Sequence, residues 1–154
     1  MASFSLEEIK KATKGNILQV GKSSYCSDVS TDTRSLIPGA LFLPLSGENF
    51  NGHEFINTAV RKGASIVIIS DQKYFKNISE DVSVVFVADT KQALKNLAHF
   101  YRKKFNIPVI AITGSNGKTT TKDMISRILS SKFNVCSTQK NFNNEIGSVS
   151  YTHL

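Results

Sequence analysis

The sequence predicts an α/β fold, and three observations carry that expectation. Short β-branched apolar runs alternate with segments whose apolar residues recur at helical spacing. Asn106-Ile107-Pro108 falls where a helix must stop and a new apolar run begins, which divides the chain into residues 1–106 and 107–154. Beyond that boundary a strand-like run, a glycine loop and an amphipathic segment follow one another, an order in which backbone amides can gather around an anion.

Taken in order, Ser5-Leu6-Glu7-Glu8 reads as a capping box that opens a short helix, with Leu6, Ile9 and Ala12 as its apolar stripe before Gly15. Residues 17–20 suit a strand. Ile37-Pro38-Gly39 is a turn signal leading into the apolar run 40–45, where Pro44 requires an edge or a strand end. The stretch 46–53, polar and containing Gly47 and Gly52, reads as a loop of the kind that often carries binding residues. Phe55, Ala59 and Val60 suit one face of a helix over 54–62 with Gly63 as its C-cap, and 65–69 and 83–87 read as buried strands. Asp89 or Thr90 then caps a longer helix in which Leu94, Leu97, Ala98, Tyr101 and Phe105 face inward, while Lys91, Lys95, Arg102 and Lys103 face water. His99 lies in that helix without a catalytic partner.

With 154 residues and 16.9 kDa, the chain has room for one ordinary domain, or for a small domain and the beginning of another. Its composition, 40% hydrophobic and 20% charged, suits a packed core. The longest apolar runs, 66–69, 84–88 and 107–112, fall far short of the roughly 20 residues of a membrane-spanning helix, and the N-terminus lacks the basic start and apolar run of a signal peptide. A cytoplasmic location is expected. Cys26 and Cys136, with only His53, His99 and His153 beside them, make neither a zinc framework nor a disulfide scaffold. The net charge of +7 is uneven: residues 1–101 carry 11 basic against 10 acidic side chains, and 102–154 carry 8 against 2. A basic segment attracts polyphosphates. Nucleic acid is not the expected partner, because the basic residues are scattered and not interleaved with stacking aromatics.

The chemistry concentrates in Gly114-Ser115-Asn116-Gly117-Lys118-Thr119-Thr120, preceded by the predicted strand 109–113 and followed by Met124, Ile125, Ile128 and Leu129 at helical spacing. Glycines let the backbone turn tightly against an anion at the positive N-terminus of a helix. Lys118 is placed to reach terminal phosphates, and the Thr119 hydroxyl to complete the coordination of Mg²⁺ bridging them. Only two residues separate the glycines, where the commonest phosphate loop has four.

The segment from Ile112 to Met124 resembles the ATP loop of the Mur ligases, cytoplasmic enzymes that build the peptide stem of bacterial cell-wall precursors, and the shortened glycine loop is their form. Asp32-Thr33-Arg34-Ser35, Pro38-Gly39-Ala40-Leu41-Phe42 and the loop from Gly47 to Phe55 are similar to the family's uridine-nucleotide-binding domain. Thr138-Gln139-Lys140-Asn141-Phe142-Asn143-Asn144-Glu145-Ile146-Gly147 resembles the segment of the member that adds D-alanyl-D-alanine. The resemblance implies a small N-terminal α/β domain for the uridine nucleotide, followed by the start of a P-loop-type central ATPase domain. It further implies an ATP- and Mg²⁺-dependent ligase, monomeric at full length, that joins D-alanyl-D-alanine to UDP-N-acetylmuramoyl-tripeptide through an acyl phosphate. By the same resemblance Thr33, Arg34, Gly47, Glu48, Asn49 and Phe50 hold the UDP moiety, and Asn141, Asn143 and Asn144 lie near the muramoyl peptide and the nucleotide.

Several alternatives stay open on the sequence. Arg34 can pair with Asp28 or Asp32 as readily as with a phosphate, and the asparagine cluster can serve as turn residues. The ligase adding the third stem residue, a folylpolyglutamate synthase, a generic phosphate-loop ATPase and a non-catalytic UDP-muramoyl-peptide-binding module are the competing functions. After Gly147 the family continues with a Pro-Leu-Thr type run, whereas this chain reads Ser148-Val149-Ser150-Tyr151-Thr152-His153-Leu154. The family's remaining metal-binding glutamate and histidine, its modified lysine and its third domain have no counterpart here. The 154 residues alone are therefore expected to be a truncated, inactive ligase, with 107–154 loosely folded.

Overall fold

The computed structural model describes residues 2–47 and 50–138. Its first elements are β1 (Phe4–Ser5) and α1 (Leu6–Thr13), joined by the capping box read from the sequence. The Ser5 Oγ accepts from the Glu8 amide at 3.2 Å, and Glu8 Oε2 accepts from the Ser5 amide at 2.9 Å. The helix ends on Lys14 in the left-handed conformation, one residue before Gly15. Short strands follow: β2 (Asn16–Gln19), β3 (Tyr25–Cys26), β4 (Val29–Ser30) and β5 (Leu41–Phe42). Gly39, at φ +82°, forms the turn before β5 with Pro38, and the Ala40 amide closes it on the Ile37 carbonyl at 3.2 Å. The expected strand over 40–45 shrinks to Leu41–Phe42, because Pro44 can donate nothing to a ladder.

Residues 46–47 and 50–53 carry more regular structure than the loop expected over 46–53. β6 (Ser46–Gly47) and β7 (Phe50–Asn51) pair as a hairpin, and a 3₁₀ turn over Gly52–Phe55 leads into α2 (Ile56–Arg61). Gly52 has no room for a side chain, since a Cβ there would lie 2.4 Å from the Leu45 carbonyl oxygen. Gly63, at φ +88°, lies just beyond the α2 cap as expected. Then come β8 (Ile66–Ile69), a 3₁₀ segment over Gln72–Asn77, β9 (Ser83–Phe86) and α3 (Thr90–Arg102), whose cap is Asp89.

Five strands form the main sheet in the order β2-β9-β8-β5-β4, with β4, β5, β8 and β9 parallel and β2 antiparallel at the edge. Successive residues of β8 point to opposite faces. Ile66 and Ile68 join Leu41, Leu43, Val85, α1 (Leu6, Ile9) and α3 (Ala93, Leu94, Leu97) in one core. Val67 and Ile69 join Phe42, Val84 and α2 (Ile56, Ala59) in the other. The sheet is thus covered on both faces, as parallel strands require. Lys104 ties α1 to the end of α3, pairing with Glu8 at 2.8 Å above the Phe4 ring. Phe105, assigned to the inner face of α3, lies beyond the helix and is exposed, its ring against Tyr101.

The expected strand 109–113 is not formed. Residues 106–114 have no ladder with any described strand, and Ile107, Val109 and Ile110 are exposed. An apolar run becomes a strand only when a neighbour takes its amides and carbonyls, and none among the described residues does. The following helix, α4 (Lys118–Ser130), forms where its spacing places it, but no residue from 101 to 138 is buried. No helix among the described residues is long and apolar enough to cross a membrane.

Candidate functional site

Parallel strands present their loops at one edge, and three segments meet the carboxyl ends of β4, β5 and β8. After β4 comes the turn Asp32-Thr33-Arg34-Ser35, after β5 the β6–β7 hairpin, and after β8 the stretch from Ser70 to Tyr74. The sheet therefore brings two of the sequence-selected segments, around Thr33 and around Gly47, to the same edge.

Thr33 is buried, and its carbonyl accepts from Lys62 Nζ at 2.6 Å. Lys62, at the end of α2, was not selected from the sequence; nothing in a one-dimensional pattern links it to a turn 29 residues earlier. The Arg34 guanidinium grips Asp32, with Nε at 2.9 and 3.0 Å and Nη2 at 2.6 Å from the carboxylate. The guanidinium hydrogen bonds hold the Asp32 carboxyl down to about 2. Because the Arg34 side chain is 90% exposed, the pair can open to an incoming anion at little cost.

Gly47 and Phe50 stand opposite each other in the hairpin, and both are exposed. Phe50 stacks on Phe55 with ring centroids 5.7 Å apart. Glu48 and Asn49, between them, lie outside the described residues, as do Asn141, Asn143 and Asn144. The base of the hairpin is held by a polar cluster that sequence reading missed. His53 is buried with Nε2 3.1 Å from the Ser70 amide and Nδ1 3.1 Å from Asn51 Oδ1. Asn51 Nδ2 donates to the Tyr74 hydroxyl at 2.8 Å, and the Tyr74 ring stacks on the imidazole. The one legible signal is a histidine in a Gly-rich polar stretch, two of whose partners, Ser70 and Tyr74, come from the end of a different strand.

The glycine loop is intact in its local geometry. Gly114 and Gly117 adopt φ +151° and +77°, values that favour glycine, and Gly117 caps α4 without any side-chain hydrogen bond. The first-turn amides of Lys118, Thr119 and Thr120 precede the first α4 bond, from the Thr121 amide to the Gly117 carbonyl at 2.9 Å. Lys118 folds back over the loop, its Nζ donating to the Gly114 and Ser115 carbonyls. Ser115, Asn116, Thr119 and Thr120 are exposed. A cation thus already crosses the mouth of an amide-lined turn, the arrangement that suits a polyphosphate. Among the described residues no group of three or more His, Cys, Asp or Glu could hold a metal ion. Cys26 is buried, which pushes its thiol up to about 11.

Comparison with known proteins agrees with this geometry. Residues 26–111 match the Mur ligase family, catalytic domain, and 112–153 match the Mur ligase middle domain. A relative from Synechocystis, UDP-N-acetylmuramoyl-tripeptide--D-alanyl-D-alanine ligase, is 42% identical over 149 residues, covering 95% of this chain and 32% of the relative. The chain spans about a third of the length of the curated relatives it matches. A crystal structure of MurF from Acinetobacter baumannii superposes with TM-score 0.87 at 32% identity, over 100% of this chain and 34% of that one. MurF ligase from Thermotoga maritima in complex with ADP gives TM-score 0.70 at 29% identity, over 82% of this chain and 29% of that one. With the two family models matched over residues 26–111 and 112–153 and the sheet and glycine loop in place, the chain belongs to the Mur ligase family.

Proposed function

We propose that the chain is the UDP-substrate and nucleotide-loop portion of the cytoplasmic ligase that joins D-alanyl-D-alanine to UDP-N-acetylmuramoyl-tripeptide in peptidoglycan precursor synthesis. Residues 1–106 hold the UDP substrate, and 107–154 begin the central ATP-binding domain. The observation that carries this reading is the occurrence, in one chain, of an amide-lined glycine loop crossed by Lys118 and a parallel sheet whose carboxyl edge gathers Thr33, Arg34, Gly47 and Phe50. Relatives of that name match across both segments.

In this reading Arg34 releases Asp32 to pair with the diphosphate, and Thr33, held by Lys62, presents its hydroxyl beside it. Gly47, Glu48, Asn49 and Phe50 cover the uridine side. Asn141, Asn143 and Asn144 approach the muramoyl peptide. Amides of Gly114, Ser115, Asn116, Gly117, Thr119 and Thr120 receive the ATP phosphates, while Lys118 exchanges its loop carbonyls for the terminal phosphate. The exposed Thr119 hydroxyl at the open end of α4 fits Mg²⁺, an ion that takes one or two protein ligands and completes its shell with water and phosphate oxygens. Thr119 would hold such an ion, whose charge would offset that of the transferring phosphoryl group. The substrate carboxylate attacks the terminal phosphorus and ADP leaves; the amine of D-alanyl-D-alanine then attacks the acyl carbon, phosphate leaves, and the amine gives up a proton. Lys118 stabilises the charge that develops in the first step.

Calorimetric titration of this chain with UDP-N-acetylmuramoyl-tripeptide, and separately with ATP and Mg²⁺, tests the reading. Binding of both supports it. UDP-ligand binding without ATP binding favours a non-catalytic UDP-muramoyl-peptide-binding module, and binding of neither overturns both.

A further inference from the structure

Among the described residues the β6–β7 hairpin has no further sheet partner, since it pairs with neither the five-stranded sheet nor the β1–β3 pair. A two-stranded ribbon this short is marginal in water, so something must hold it in place. Its base is held at three points: the Gly52 amide donates to the Leu45 carbonyl at 2.9 Å, Asn51 donates to Tyr74, and His53 bridges to Ser70. The backbone amide of Ser70 can only donate, so His53 Nε2 must be the unprotonated, accepting nitrogen. The proton then sits on Nδ1 and points at Asn51 Oδ1, which also accepts from the His53 amide and the Ser46 hydroxyl, each at 3.1 Å.

We propose that neutral His53, in its Nδ1–H form, is a positioning residue that ties the nucleotide hairpin to the carboxyl end of β8 and so sets the place of Gly47 and Phe50 for the substrate. The proposal rests on the reading of that hairpin as a UDP-substrate loop. A second proton on Nε2 would set two N–H groups against each other at the Ser70 amide and leave only the Ser70 hydroxyl, 3.2 Å from Nε2, to accept it, which weakens the clamp. Burial pushes the imidazole down from its ordinary value, in favour of the neutral form. The charged groups facing it are Asp71, which raises its affinity for a proton, and Lys73, which lowers it. These two pair with each other at 2.9 Å, which lowers Asp71 and raises Lys73, so both stay charged between about pH 5 and 8. Tyr74 contributes a stacked ring.

The test uses the 154-residue chain, its His53→Phe and His53→Gln variants, and UDP-N-acetylmuramoyl-tripeptide. Long-range ¹H–¹⁵N correlation of the wild-type imidazole reads the tautomer without any variant, and an Nε2–H form overturns the clamp. Wild-type affinity is expected to fall at least about threefold as the pH drops from 8 through the lowered titration of His53, where the imidazole takes up its second proton. His53→Gln, which keeps an acceptor for Ser70 but cannot titrate, should bind within about threefold of wild type at pH 8 and show no such fall. His53→Phe should lose at least about tenfold in affinity and speed amide exchange at Gly47, Phe50 and Asn51, with β8 and β9 amides unchanged. Binding at pH 8 with identical pH profiles for wild type and His53→Gln overturns the clamp alone. Absence of wild-type binding at pH 8 overturns the substrate reading of the hairpin, whatever the tautomer.

Discussion

Leu97 and Ile128 each lie on the apolar stripe of an amphipathic helix of 13 residues, yet Leu97 is fully buried in α3 and Ile128 is 69% exposed in α4. Both helices begin at a sequence signal, Asp89 for one and Gly117 for the other. The difference lies in what each meets. Behind α3 stands a sheet with four parallel strands, whereas α4 follows an apolar segment, 107–112, that has no ladder partner among the described residues. An apolar stripe specifies which face of a helix can be buried; burial itself needs a second layer.

Paired truncations sharpen this contrast most. Leu97→Ala should destabilise the chain by about 2–5 kcal/mol, and Ile128→Ala should change it by less than about 0.5 kcal/mol, both read by urea unfolding. An equal loss at Ile128 would break the comparison, since it would mean that the α4 face is covered in solution. In a ligase of the relatives' length carrying this segment, Lys118→Ala should lower turnover at least about 100-fold and leave UDP-ligand affinity unchanged. Turnover within about threefold of wild type would remove Lys118 from the phosphate site.

A smaller effect is expected at the sheet edge. Arg34→Ala should weaken UDP-ligand binding about tenfold while leaving the thermal midpoint in place, because the guanidinium stands in solvent and its pair with Asp32 adds little to folding. A lowered midpoint with unchanged binding would make Arg34 a structural residue. The smallest is at the first helix, where Ser5→Ala should cost about 1 kcal/mol by leaving the Glu8 amide without its cap, again by urea unfolding.

Several local signals are legible where the partner group lies within a few residues, although the short β6–β7 pairing is not. The Ser5 capping box, the Pro38-Gly39 turn, the Asp89 cap and the glycine loop before α4 are all satisfied by neighbours in sequence. Long-range contacts escaped. Lys62 reaching Thr33, and His53 reaching Ser70 across 17 residues, depend on which strands lie side by side. Residues 109–113 show the same limit in reverse: their composition suits a strand, but a strand is a relation between two segments.

The sequence by itself determined that the chain alternates helices with short strands, where the glycine loop falls and which helix it precedes, since spacing, capping and φ preferences act over a few residues. The tertiary structure alone decided that Thr33 and the Gly47 hairpin share one sheet edge, that Lys62 reaches the Thr33 carbonyl, and that a buried histidine at the hairpin base reaches Ser70. Those outcomes depend on strand order and on which side chains burial brings together, and neither is encoded in any local window of the chain.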